Sequence, residues 1–178
     1  MRIRSGELEL REFEPALSAV LYEVRNHPSV RQHLRSPQPI AREDHERWVE
    51  ENLVRERRLR LFLVYFAGAA RGLALLRNFS GASAEIGVMV VEARRHRLAG
   101  YKASHLIGYL GFERLGLERL LSYVPRHNRH ALAFNEACGF ERTSNDSDAY
   151  FELALTLERW RNHPVHRRFR ARYPIEID

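Results

Sequence analysis

The chain has 178 residues, 44% of them hydrophobic and 29% charged, with a formal charge of +6 and a single cysteine, Cys138. Those values fit one globular domain and exclude disordered, fibrous and disulfide-framed classes. The longest apolar run, residues 61–70, is far too short to span a bilayer, and the first residues lack a signal-peptide core, so a cytoplasmic location without membrane contact is expected.

The elements follow in chain order. Residues 7–13 alternate polar and apolar side chains as a half-buried strand does, and Glu14-Pro15 starts a helix. Leu17, Val20, Leu21 and Val24 recur at helical spacing, which leaves Arg25 at the edge of the buried stripe before His27-Pro28 ends the helix. Beyond the loop Ser36-Pro37-Gln38-Pro39, a second helix over 41–56 places His45, Trp48, Val49 and Leu53 on one face. Residues 59–67, 71–78 and 84–91 read as three successive strands in an antiparallel meander. A helix over 100–115 stops at Gly116, a strand covers 119–124, and a short helix over 130–138 exits through Gly139-Phe140. Residues 150–157 form a last strand, so 1–157 is expected as one domain and 158–178 as a basic, solvated extension.

Two segments carry chemistry. In the first, the apolar strand ending Val88-Met89-Val90-Val91 runs through a basic loop into the helix at Gly100. A helix start offers unpaired N–H groups and the positive end of its dipole, which suits a pyrophosphate. Arg94, Arg95, Arg97 and Lys102, the only lysine, add cationic contacts there. In the second, the strand Leu120-Leu121-Ser122-Tyr123-Val124 leads into Asn128, a short amphipathic helix containing Asn135, and then Gly139-Phe140.

The Asn-x-x-Ala, helix, Gly-Phe spacing resembles the second half of the GCN5-related N-acetyltransferase (GNAT) core. Arg97 and Gly100 match the first and fourth positions of that superfamily's Gln/Arg-x-x-Gly-x-Gly/Ala motif. The resemblance covers residues 60–157 most clearly and implies an α+β GNAT fold. That fold is a mixed, mostly antiparallel sheet of about six to seven strands with about four helices. It also implies acetyl-CoA as co-substrate, bound by Val88, Met89, Val90, Arg95, Arg97, Leu98, Ala99, Gly100, Tyr101, Lys102 and Asn128. Two departures stand out: Lys102 occupies a small-residue position, and Asn135 stands where many members carry an acidic tyrosine. Asn cannot protonate the leaving thiolate, so water or Tyr123 takes that part.

Within the superfamily, Arg25-Asn26-His27-Pro28 with 43–48 is similar to the sugar-nucleotide amine acetyltransferases of the pseudaminic-acid pathway and to the ribosomal-protein N-terminal acetyltransferases. The similarity implies an acceptor pocket lined by Arg25, His27, His45 and Trp48; core packing is the alternative for the last two. Glu85, the one carboxylate in its strand, is the candidate base, against a structural ion pair with Arg71 or Arg77. The implied reaction acetylates a primary amine on a small molecule, a nucleotide-linked amino sugar first and a protein or peptide N-terminus second. A homodimer is common in the superfamily. A nucleic-acid module built on the basic stretch 159–173 is the reading from another class, without a recognition motif to accompany it. His127, His130, His163 and His166 lack a completing carboxylate or cysteine, so no metal is expected.

Overall fold

The computed structural model describes residues 1–32, 37–56, 59–92 and 95–178, with Arg97 described by its backbone alone. Ser36 and Arg94, which the loop readings used, lie outside the described residues, as does the Arg97 side chain.

Strands β1 (Arg2–Ser5) and β2 (Leu8–Glu12) form a hairpin, and a 3-10 turn at Pro15–Leu17 leads into α1 (Ser18–Asn26) and the short α2 (Pro28–Arg31). Helix α3 (Arg42–Val49) runs on as a π turn through Glu50–Arg55. Strands β3 (Leu59–Phe66), β4 (Ala69–Ser80) and β5 (Ser83–Val90) make the expected meander. Helix α4 (Arg97–Tyr109) begins three residues ahead of the expected Gly100 and precedes β6 (Arg119–Pro125), α5 (Arg129–Ala137), β7 (Glu141–Arg142) and β8 (Tyr150–Thr156). Helices α6 (Leu157–Asn162) and α7 (Pro164–Arg172) and strand β9 (Glu176–Ile177) close the chain.

One mixed sheet runs β7-β8-β6-β5-β4-β3-β2-β1-β9, nine strands among the described residues instead of six to seven, with seven α-helices instead of four. The strands beyond the six read from sequence are β1, four residues long, and β7 and β9, two residues each, all too short to show a clear periodicity in sequence.

Strand alternation divides the core in two. Phe62, Val64, Ala74, Leu76, Ile86 and Val90 turn to one face, where α4 supplies Ala99, Ala103, Leu106 and Ile107. Leu61, Leu63, Leu73, Leu75 and Met89 turn to the other, where α1 supplies Leu21 and Val24 and α3 supplies Val49. Burial on both faces is why these strands read as continuous apolar runs.

The C-terminal stretch is not the solvated extension its charge predicted. Trp160, His166 and Phe169 are buried, and β9 pairs with β1 at the sheet edge. Trp160 fits because position 108 is glycine: a Cβ there would stand 2.7 Å from the indole Nε1. The arginines turn outward instead, Arg161 to Glu113 and Arg159 to the Gly139 carbonyl at 2.6 Å.

Candidate active site

The sheet forks at its centre. β5 and β6 pair in parallel only where Ser83, Ala84 and Glu85 face Arg119, Leu120 and Leu121. Beyond that point β5 pairs only with β4 and β6 only with β8, so the facing edges of 86–90 and 122–125 diverge. A cavity of about 660 Å³ fills the fork, walled by both strands and by residues of α2, α4 and α5. Unpaired backbone N–H groups along such an edge are ready donors for an extended ligand.

At one end of the cavity stands the start of α4. His96 occupies the N-cap position without a side-chain capping bond, leaving first-turn N–H groups without a side-chain acceptor. Gly100 lies on the cavity side, and a Cβ there would stand 3.2 Å from the Phe134 ring. Tyr101 packs against the same ring at 5.2 Å between centroids. Asn128 caps α5, its Oδ1 accepting from the Ala131 N–H at 3.0 Å. Asn135 lines the cavity, but its amide donates to the Ala131 carbonyl at 2.8 Å.

Period-two alternation sorts the strand side chains by role. Val88 and Val90 face α4, whereas Glu85, Gly87 and Met89 face the α1 side. Glu85 is ion-paired with Arg77, its cross-strand neighbour on β4, and accepts from Asn78 Nδ2 at 2.7 Å. Arg77, not Arg71, is therefore the partner. Tyr123, 44% exposed on β6, shares this wall. Partial burial and then the negative charge of Glu152 and Glu85 push its phenol above the ordinary tyrosine range, so it stays protonated at neutral pH.

The structure thus brings Glu85, Val88, Met89, Val90, Gly100, Tyr101, Tyr123 and Asn128 into one cavity wall. It does not bring Lys102 there. Two residues along a helix turn about 200°, so Lys102 points away from Gly100. Its buried ammonium sits 4.0 Å from the Tyr173 ring centroid, which corrects its expected pyrophosphate contact. Arg95 is exposed and reaches Glu92, the Leu98 side chain is exposed, and Ala99 is buried; none of the three lines the cavity.

On the acceptor side, His45 is buried and contacts Ser18, with Nε2 3.1 Å from the Ser18 carbonyl. That is the packing alternative, and it removes His45 from the cavity wall. His27 caps α2 through Ser29. Arg25 lies over the Trp48 ring at 4.9 Å. His96, within the expected cofactor loop, lines the cavity, as do Ser29, Ser104, Ser122 and Phe134, which no local pattern singles out: serines and one aromatic on an amphipathic helix leave no signature until the topology gathers them.

A forked sheet with a helix start at its end makes a site for an extended ligand with an anionic group. The chain belongs to the GNAT acetyltransferase family: the acetyltransferase (GNAT) domain matches residues 7–141. It is an acetyl-CoA-dependent acetyltransferase of that type. No curated protein sequence matches the chain significantly.

Among solved structures, the spermidine N-acetyltransferase from Vibrio cholerae in complex with CoA and spermine superposes with a TM-score of 0.74 at 16% identity, covering 88% of this chain and 99% of that one. A dodecameric structure of that enzyme gives 0.70 at 17%, covering 89% and 99%. RimL, a ribosomal L7/L12 α-N-protein acetyltransferase in complex with CoA, gives 0.75 at 16%, covering 89% and 99%. At these identities the likeness speaks for the fold. Among the described residues no cluster of three or more His, Cys, Asp or Glu is placed to hold a metal, and no helix is long and apolar enough to cross a membrane.

Proposed function

We propose that the protein acetylates a primary amine on a small molecule by direct attack on the acetyl-CoA thioester in the β5–β6 fork. The observation that carries this reading is the fork itself, with Glu85 and Tyr123 on one wall and the open α4 start at its end. The α4 first turn would take the pyrophosphate, and the free edge of β5 near Val88, Met89 and Val90 would pair with the pantetheine arm and hold the carbonyl oxygen as it becomes negative.

The acceptor enters from the α1 side. Glu85 takes the ammonium proton, directly or through one water, while Arg77 and Asn78 hold its carboxylate in place. The amine nitrogen then bonds to the acetyl carbon, the C–S bond breaks, Tyr123 gives its proton to the departing thiolate, and the second proton that the nitrogen sheds as the amide forms returns to Tyr123 through water. Asn135 has no proton of suitable acidity to give, and its amide is already bonded to Ala131.

A nucleotide-linked amino sugar is the leading acceptor, because Trp48 offers an aromatic face and Arg25 a cation on that side. The likeness to RimL favours a protein N-terminus as the second reading. A homodimer is proposed for the assembly. The test is calorimetric titration with acetyl-CoA, followed by CoA release against amino-sugar nucleotides and N-terminal peptides. No binding at millimolar acetyl-CoA would overturn the proposal.

A further inference from the structure

Arg25 is anomalous. Among the described residues no carboxylate or carbonyl takes a hydrogen bond or ion pair from its guanidinium, and none of the remaining residues is acidic. Its recorded companion is the Trp48 ring, which orients a cation without neutralising it. Burial first, and then the charge of Arg77, push Arg25 below its ordinary range, and Glu85 answers the charge of Arg77 but makes no bond to Arg25. A partly buried guanidinium so placed gains from an anion that can reach it.

The fold puts this pair beside the chemistry. Leu73, Leu75 and Arg77 alternate toward the face that α1 covers, and Arg25 closes the last turn of α1 on that face. Arg77 lines the cavity, is half exposed, and gives only part of its guanidinium to Glu85. The cofactor helix α4 packs on the opposite face of the sheet, so a CoA pyrophosphate at its start does not meet Arg25.

We infer that Arg25, seated on Trp48 and assisted by Arg77, is an anion subsite of the acceptor pocket, and that the acceptor amine therefore carries a carboxylate or phosphate. The inference rests on the proposed reaction and narrows its substrate class. It separates this chain from enzymes whose acceptor is a polycation, because the Arg25 guanidinium repels one.

The test uses the full chain saturated with CoA, which fills the pyrophosphate site beforehand. Inorganic phosphate and 4-aminobutyrate are titrated while the Trp48 indole N–H resonance is followed, the two tryptophans being told apart with Trp48→Phe. In parallel, CoA release is compared for glucosamine 6-phosphate against glucosamine and for 4-aminobutyrate against 4-aminobutyramide. The expected result is saturable binding of at least one anion, weakened about 10- to 100-fold in Arg25→Gln and partly restored in Arg25→Lys, with CoA affinity unchanged.

Any acceptor pair that turns over should favour its anionic member in the wild type and lose that preference in Arg25→Gln. Phosphate against carboxylate decides the source of the charge. Equal anion binding by wild type and Arg25→Gln, absence of anion binding to the CoA complex, or preference for the neutral amine overturns the inference. Failure of CoA itself to bind would instead strike the proposed reaction.

Discussion

Ser29 Oγ accepts the Glu92 backbone N–H at 2.8 Å, across 63 positions of sequence. The bond ties the first turn of α2 to the end of β5 where the loop into α4 departs. Glu92 has a left-handed backbone with φ of 48°, an uncommon state for a side chain of its size, and Ser29 helps to hold it. Ser29→Ala is expected to raise KM for acetyl-CoA about 3- to 10-fold with a smaller change in kcat, as loss of one such bond predicts. Initial-rate kinetics at fixed acceptor check this.

Removal of the candidate base has a pH signature. Glu85→Gln should lower kcat by about 100-fold at pH 7, with the deficit shrinking as pH approaches the amine pKa near 8 to 10, where amine loses its proton unaided. Full turnover by the variant across pH 6 to 9 would remove Glu85 from the chemistry.

Tyr123→Phe tests the acid. The phenol lies above its ordinary range, so it remains protonated throughout pH 6 to 9. The expected loss, about 10- to 100-fold in kcat, is therefore flat across that range and leaves acetyl-CoA affinity intact. An unchanged kcat would hand the proton to water.

Gly100→Glu should abolish saturable acetyl-CoA binding. Its side chain would start 3.2 Å from Phe134 and place a carboxylate at the anion end of the fork. Thermal melting of the variant distinguishes lost binding from lost folding.

The C-terminal helices predict acid sensitivity. His166 Nε2 donates to the Cys138 carbonyl at 2.8 Å, and its Nδ1 faces His105 Nδ1 at 3.2 Å. Burial pushes His105 down to about 3 and His166 down to about 4, against 6.5 when free. Both are neutral in the folded state, and the unfolded chain binds more protons below pH 6.5. Stability is thus full above that pH and falls with acidification until the folded values are passed. The slope is at most about 1.4 kcal/mol per pH unit for each histidine. Urea unfolding at pH 7 and pH 4.5 measures it, and His105→Phe should flatten the dependence.

Local sequence carried much of this. The apolar runs of β3, β4 and β5, the stripe of α1 and the strand-loop-helix units around Gly100 and Asn128 were legible, because period and turn chemistry are written within a few residues. Glu85 and Arg77 were already joined as an alternative, since cross-strand pairing follows from hairpin register. Lys102 misled, because charge shows in sequence but direction depends on where α4 begins. The basic stretch after Thr156 misled for a related reason: its arginines dominate composition, while Trp160, His166 and Phe169 find their burial only against α4 and the Gly108 gap.

The sequence by itself determined the family and the two segments proposed to hold the cofactor, because each is a local pattern of backbone geometry. Only the tertiary structure decided where β5 and β6 part, that Glu85 answers to Arg77, and that Arg25 lies over Trp48. Those are relations between elements far apart in the chain, fixed by sheet order and helix packing, and no local pattern encodes them.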